Sequence, residues 1–249
     1  MTTPMPDPAA EQTDSPTWWN VYFHPTPSRK SYVPIRNPGQ AIAIPLAILF
    51  LSVSSGLFWV TSNSEYIDRV MSEAREQAAA RGQLEAFENV EAMTRNAIQN
   101  PAVRASISLQ SGWITVRSFL LFMALSWILL SMITSSWKSA IPFASLLCVS
   151  SGIFCAGAFF YATLRYLFGG ELVFLAPVQL LDSFDRSNPL HLLSARADLF
   201  FFWFLAVASV RASALYRERL LTTITIFIGA WMILFSISFL LDQSYYFLP

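Results

Sequence analysis

The sequence predicts an all-α integral membrane protein with five transmembrane helices and an extramembrane helical hairpin between helices one and two. Three observations predict it. Hydrophobic residues make up 54% of the chain and charged residues only 13%, the latter about half the usual share for a soluble domain. The apolar residues gather into blocks near the length of about 20 residues that a helix needs to cross a bilayer. Between the first two blocks lies a polar excursion, residues 63–110, whose apolar residues recur at helical spacing.

Residues 1–40 read as a Pro-rich, mostly disordered tail, because Pro4, Pro6, Pro8, Pro16, Pro25, Pro27, Pro34 and Pro38 prevent a continuous helix. Met1 to Pro16 has neither a basic nor an apolar region of the kind a cleavable leader carries, so the first span is expected to act as the targeting signal. Inside the tail stands an aromatic patch, Trp18-Trp19-Asn20-Val21-Tyr22-Phe23. It suits the headgroup level of a membrane or a docking partner. Arg29, Lys30 and Arg36 follow it.

Residues 41–249 read as the membrane domain, with spans at about 41–60, 112–133, 140–164, 197–216 and 220–241. The first span carries Ser54-Ser55-Gly56, small residues that allow close helix contact. In the excursion, Ile67, Val70, Met71, Ala74 and Ala78 form one apolar stripe. Leu84, Phe87, Val90, Met93 and Ala97 form a second. Both stripes are expected to pack on each other or on the membrane face. Asn100-Pro101 then reads as a break before a third short piece. The second span begins near Gly112 and holds Arg117, which can reach the surface along its aliphatic stem. The third span echoes the first, Val149-Ser150-Ser151-Gly152-Ile153-Phe154 beside Val53-Ser54-Ser55-Gly56-Leu57-Phe58, which reads either as chance similarity between small-rich helices or as matching packing faces. Gly152 with Ala156, or Ser151 with Cys155, would give a matching small-residue face. Leu172 to Leu181 is too short to cross and is interrupted by Pro177, which reads as a surface or re-entrant piece.

The stretch Asn188 to Leu220 carries the densest signal. Asn188 and Pro189 mark a helix start. Asp198 precedes an uncharged run from Leu199 to Val210, and Arg211, Arg217 and Arg219 follow it. Embedded ionisable residues are functional candidates, which singles out Asp198 and Arg211. The two are separated by about 20 Å along one helix, at 1.5 Å per residue, so they do not pair within it. The last span ends at Asp242, and Tyr245, Tyr246 and Phe247 make a terminal aromatic anchor.

Orientation follows from the basic residues of short loops. Arg29, Lys30 and Arg36, then Lys138, then Arg217 and Arg219 all fall on one side of a five-span chain. The expectation is a cytoplasmic N-terminus and a C-terminus outside.

These residues resemble the bacterial branch of the Yip1-domain family over roughly Asn37 to Leu241. The resemblance rests on Asn37-Pro38, the helical excursion, Trp137-Lys138, Asn188-Pro189-Leu190, and Asp198-Leu199-Phe200-Phe201-Phe202-Trp203. That family has five membrane helices and a cytoplasmic N-terminus. The usual glycine after the Trp is replaced here by Ala206-Val207-Ala208-Ser209-Val210-Arg211. The resemblance implies an inner-membrane location and brings no catalytic residue.

The net charge is zero, which argues against a nucleic-acid surface. Cys148 and Cys155 lie about two helical turns apart, too far to bridge, and read as buried thiols. No metal, cofactor or catalytic motif stands in the chain. The expected function is a non-enzymatic scaffold, adaptor or accessory subunit of a membrane complex. Its partners would be membrane lipids and membrane proteins, or a second copy of itself. A small-solute or lipid transporter or channel component is the alternative. The residues to watch are Asp198, Trp203, Arg211, Gly56, Gly152, Trp18 and Trp19.

Overall fold

A computed structural model of the chain describes residues 38–80, 82, 84–135, 137, 140–168 and 188–240. The described residues are helical, and they form α1 (Pro38–Val60), α2 (Ser64–Ala80), α3 (Leu84–Gln99), α4 (Pro101–Ile133), α5 (Ala140–Ser150), α6 (Gly152–Phe168), α7 (Pro189–Arg196), α8 (Leu199–Tyr216) and α9 (Leu220–Leu240). Five segments are long and apolar enough to cross a membrane: Gly39–Val60, Pro101–Ile133, Ala140–Leu167, Leu199–Tyr216 and Leu220–Leu240. The tail with Trp18 and Trp19, the Leu172 to Leu181 piece, Lys138 and the terminal aromatic anchor lie outside the described residues.

The five apolar segments form a ring in which α1 neighbours α4, α4 neighbours α9, α9 neighbours α8, and the α5–α6 pair closes the ring between α8 and α1. Aromatic rings fill the middle. Phe154 of α6 lies 4.6 Å from Phe204 of α8. Phe204 meets Phe122 of α4 at 6.0 Å. Phe122 meets Phe227 of α9 at 5.9 Å, and Phe227 meets Phe143 of α5 at 6.2 Å. Phe143 then meets Tyr216 at the foot of α8 at 6.1 Å. Most of these contacts are edge-to-face, which the ring quadrupole favours. One connected set of rings therefore ties four of the five segments together. The fifth, α1, adds Leu49.

Close approach of backbones does the rest. Gly56 of α1 faces Ala158 and Ala162 of α6, and a Cβ at Gly56 would sit 3.3 Å from Ala162 Cβ. First and third spans do pack on each other, with Cys155 against Ser52 as well as Gly56 against Ala162. Ser151 and Cys155 are buried, whereas Gly152 is half-buried and Ala156 is exposed. Gly112 has no room at all: a Cβ there would lie 2.8 Å from Phe50 O and would overlap Ser54 Oγ.

Three expected boundaries are corrected. The short piece after Asn100-Pro101 and the second span are one helix, α4, of 33 residues. Pro101 sits in its first turn, where its missing N–H costs nothing, and Asn100 caps it by accepting from Ala102 N–H. Gly112 is a packing residue and not a boundary. The third span is broken at Ser151, because its hydroxyl donates to Cys148 O at 2.6 Å and competes for a carbonyl of the helix ladder. Beyond the break α6 runs on to Phe168. Finally, the helix that starts at Pro189 stops at Arg196, and Leu199 starts a new one.

The polar excursion consists of α2 and α3. Arg95 near the end of α3 pairs with Asp68 near the start of α2, and Arg75 pairs with Glu88 at 2.7 Å. The crossed order of these pairs makes the two helices antiparallel. Gly82 adopts φ +67 in the link between them, a left-handed conformation that suits glycine.

Candidate functional site

Asp198 is a buried carboxylate at the end of the bundle that carries α2 and α3. It is 4% exposed. The sequence reading treated it as a residue inside a helix begun at Pro189; it is instead the N-cap of α8. Its Oδ1 accepts from the Phe201 backbone N–H at 2.7 Å, and its own backbone is extended, with φ −87 and ψ 175. A carboxylate here satisfies an orphan N–H and faces the positive pole of the helix it starts. The Tyr161 hydroxyl of α6 also contacts the Asp198 side chain. Asn188 caps α7 in the expected way, accepting from Leu190 N–H at 2.9 Å.

Around Asp198 the packing is aromatic. Phe200 lies 5.4 Å from the Tyr161 ring and fills the space over Gly157, where a Cβ would be 2.9 Å from Phe200 Cγ. Trp203 stands next to Phe200, ring to ring at 6.5 Å, and is half-buried. Arg165, one helical turn beyond Tyr161, neighbours the Tyr66 and Tyr161 side chains. The same end is tied together by Asn63, which donates to Tyr166 O at 3.0 Å, and by stacking of Trp59 on Tyr166 at 4.7 Å.

The expected residues do not converge. Asp198 and Trp203 belong to one neighbourhood. Arg211 is half-buried on the far half of α8. Gly56 packs on α6, and Gly152 opens α6 behind the Ser151 break. Cys148 and Cys155 are buried free thiols. At the opposite end, Ser131 and Tyr216 hydroxyls lie 3.3 Å apart, and Arg217 turns the chain from α8 into α9 with φ 59. Below α1, in α2 and α3, Asp68 and then Glu91 hold the Arg95 guanidinium above its ordinary range through hydrogen bonds.

The sequence reading missed Tyr161, Gly112, Gly157 and Arg104. Arg104, Ser108, Gly112 and Val116 recur every four positions along α4, a helical stripe that the supposed boundary at Gly112 cut in two. No protein family, curated protein or solved structure matches the chain.

Proposed function

We propose that the chain is an integral membrane protein that crosses a bilayer five times and works as a non-enzymatic scaffold, adaptor or accessory subunit of a membrane complex. The observation that carries the reading is the plugged interior. The rings of Phe154, Phe204, Phe122, Phe227, Phe143 and Tyr216 occupy the axis along which a solute would travel. The outer surface is apolar as well, with Ile44, Leu51, Leu121, Met132, Phe159 and Ile237 all exposed. A bundle that is apolar both inside and out suits lipid as its solvent.

In this reading α2 and α3 form the extramembrane hairpin. Their apolar stripes are not equivalent. Met71 is buried, but Val90 is 58% exposed and Met93 is 75% exposed, while Arg95 and Glu91 of α3 take part in the ion pairs. An exposed apolar edge on a charged hairpin supports a protein partner in a membrane complex. The basic residues Arg217 and Arg219 lie at the other end, which supports an N-terminus in the cytoplasm and a C-terminus outside. Membership of the bacterial Yip1-domain family and residence in the inner membrane are part of this proposal. They rest on Asn37-Pro38, the helical excursion, Trp137-Lys138 and, most tellingly, the residues from Asn188 to Trp203.

A transport role is the second reading. The hydroxyls of Ser126 and Ser209 favour it, since both are fully buried and find no partner among the described residues. The aromatic rings that fill the interior weigh against it.

Purification of the full chain in mild detergent, followed by mass analysis, tests the proposal. A stoichiometric membrane-protein partner supports a scaffold. Reconstituted vesicles that take up a solute, and lose uptake with Asp198→Asn or Arg211→Ala, would establish transport instead.

A further inference from the structure

Along the seam between α1 and α4, buried polar atoms of Ser54, Arg104 and Ser108 stand without partners among the described residues. Helical hydroxyls in a membrane-like interior ordinarily return to a carbonyl of the preceding turn. Ser145 does so to Ile141 O and Ser150 to Leu146 O, both at 2.9 Å. Ser108 does not, although it is only 2% exposed. Ser54, across the seam at Gly112, does not either.

One turn before Ser108 stands Arg104. Its Nη1 donates to Thr61 O at a long 3.5 Å, its guanidinium lies 5.3 Å from the Phe58 ring centroid, and its Nε is buried without a partner among the described residues. Three carboxylates of α2 and α3 are engaged by other cations: Glu88 by Arg75, and Asp68 and Glu91 by Arg95. Arg104 also sits in the first turn of α4, where the helix dipole favours an anion. Exposed Phe58, Ile107 and Trp113 flank the same stretch.

We propose that Arg104 and Ser108 hold a phosphate group at this end of the α1–α4 seam, that of a membrane phospholipid whose chains run down past Phe58, Ile107 and Trp113. The guanidinium fork matches two phosphate oxygens, and the Phe58 ring holds its plane. The Ser108 hydroxyl donates to a third oxygen once the long arginine side chain swings to admit the ligand. The lipid as source rests on the membrane reading above; the phosphate chemistry does not.

The test uses the full chain in a neutral detergent. Native mass spectrometry counts retained phosphatidylglycerol against diacylglycerol, which has the same chains and no phosphate. A separate titration uses inorganic phosphate. Wild type should retain phosphatidylglycerol and not diacylglycerol. Arg104→Ala should weaken retention about tenfold or more, the loss expected for a charged hydrogen bond. Ser108→Ala should weaken it by less, Arg104→Lys should keep part of it, and Arg219→Ala, at the opposite end, should leave it unchanged. Equal retention of the two lipids overturns the proposal, as does wild-type retention by Arg104→Ala. Binding of inorganic phosphate alone, lost in Arg104→Ala, overturns the lipid source and upholds the phosphate site. If the chain stays monodisperse without detergent, the membrane reading fails by itself, and the inorganic phosphate titration then decides the site.

Discussion

The Phe201 backbone N–H donates to Asp198 Oδ1 at 2.7 Å, so a buried carboxylate both ends the approach from α7 and starts α8. Asp198→Ala should remove the cap and lower stability by about 1–2 kcal/mol. Asp198→Asn keeps an acceptor at the same place and should lose less than half of that. Thermal unfolding in detergent reads both. Equal losses would mean that the charge, and not the cap, is what α8 needs.

Two glycines should respond in opposite directions. A Cβ at Gly112 would lie 2.8 Å from Phe50 O, against backbone that cannot turn aside, whereas a Cβ at Gly229 meets nothing within 4 Å. Gly112→Ala should push α1 and α4 apart and destabilise by about 1–3 kcal/mol, the range for overpacking. Gly229→Ala should be neutral or stabilise by up to about 1 kcal/mol through helix propensity. Denaturation of the two variants side by side checks the contrast.

Phe204 touches Phe119, Phe122 and Phe154 and is fully buried. Phe204→Ala should cost about 3–5 kcal/mol, while Phe202→Ala, on the exposed side of the same helix, should cost far less. Chemical denaturation that finds the two equal would refute the plugged interior.

Arg95 serves Asp68 and Glu91 together, whereas Arg75 serves Glu88 alone among the described residues. Arg95→Ala should therefore speed hydrogen exchange in α3 more than Arg75→Ala does. Raising the salt concentration should narrow the gap, because exposed ion pairs are screened.

The five apolar segments were legible because length and uniform apolarity need no knowledge of neighbours. Their internal joints were not. Only Ala197 and Asp198 separate α7 from α8, and an Asp before an apolar run is a capping signal that its candidacy as an embedded charge obscured. Gly112 looked like a boundary because glycine so often is one; its real reason, the Phe50 carbonyl on another helix, is tertiary. Ser151 breaks a span through one hydroxyl, and serine does so only where its rotamer reaches the carbonyl. The hydrophobic pattern placed both stripes of the excursion on a buried face, yet Val90 and Met93 face outward. Pattern records which residues share a face and not what covers it.

The rods of this bundle differ in length. At 1.5 Å per residue, the 18 residues of α8 reach about 27 Å and the 33 of α4 about 50 Å. A hydrocarbon layer is about 30 Å across. The shortest rod is bounded by Asp198 and Arg217, so in the membrane-spanning arrangement proposed above it would set the upper limit on bilayer thickness, and α4 would lean or overshoot. In the membrane-spanning arrangement proposed above, such a mismatch would favour the thinner of two bilayers by elasticity alone.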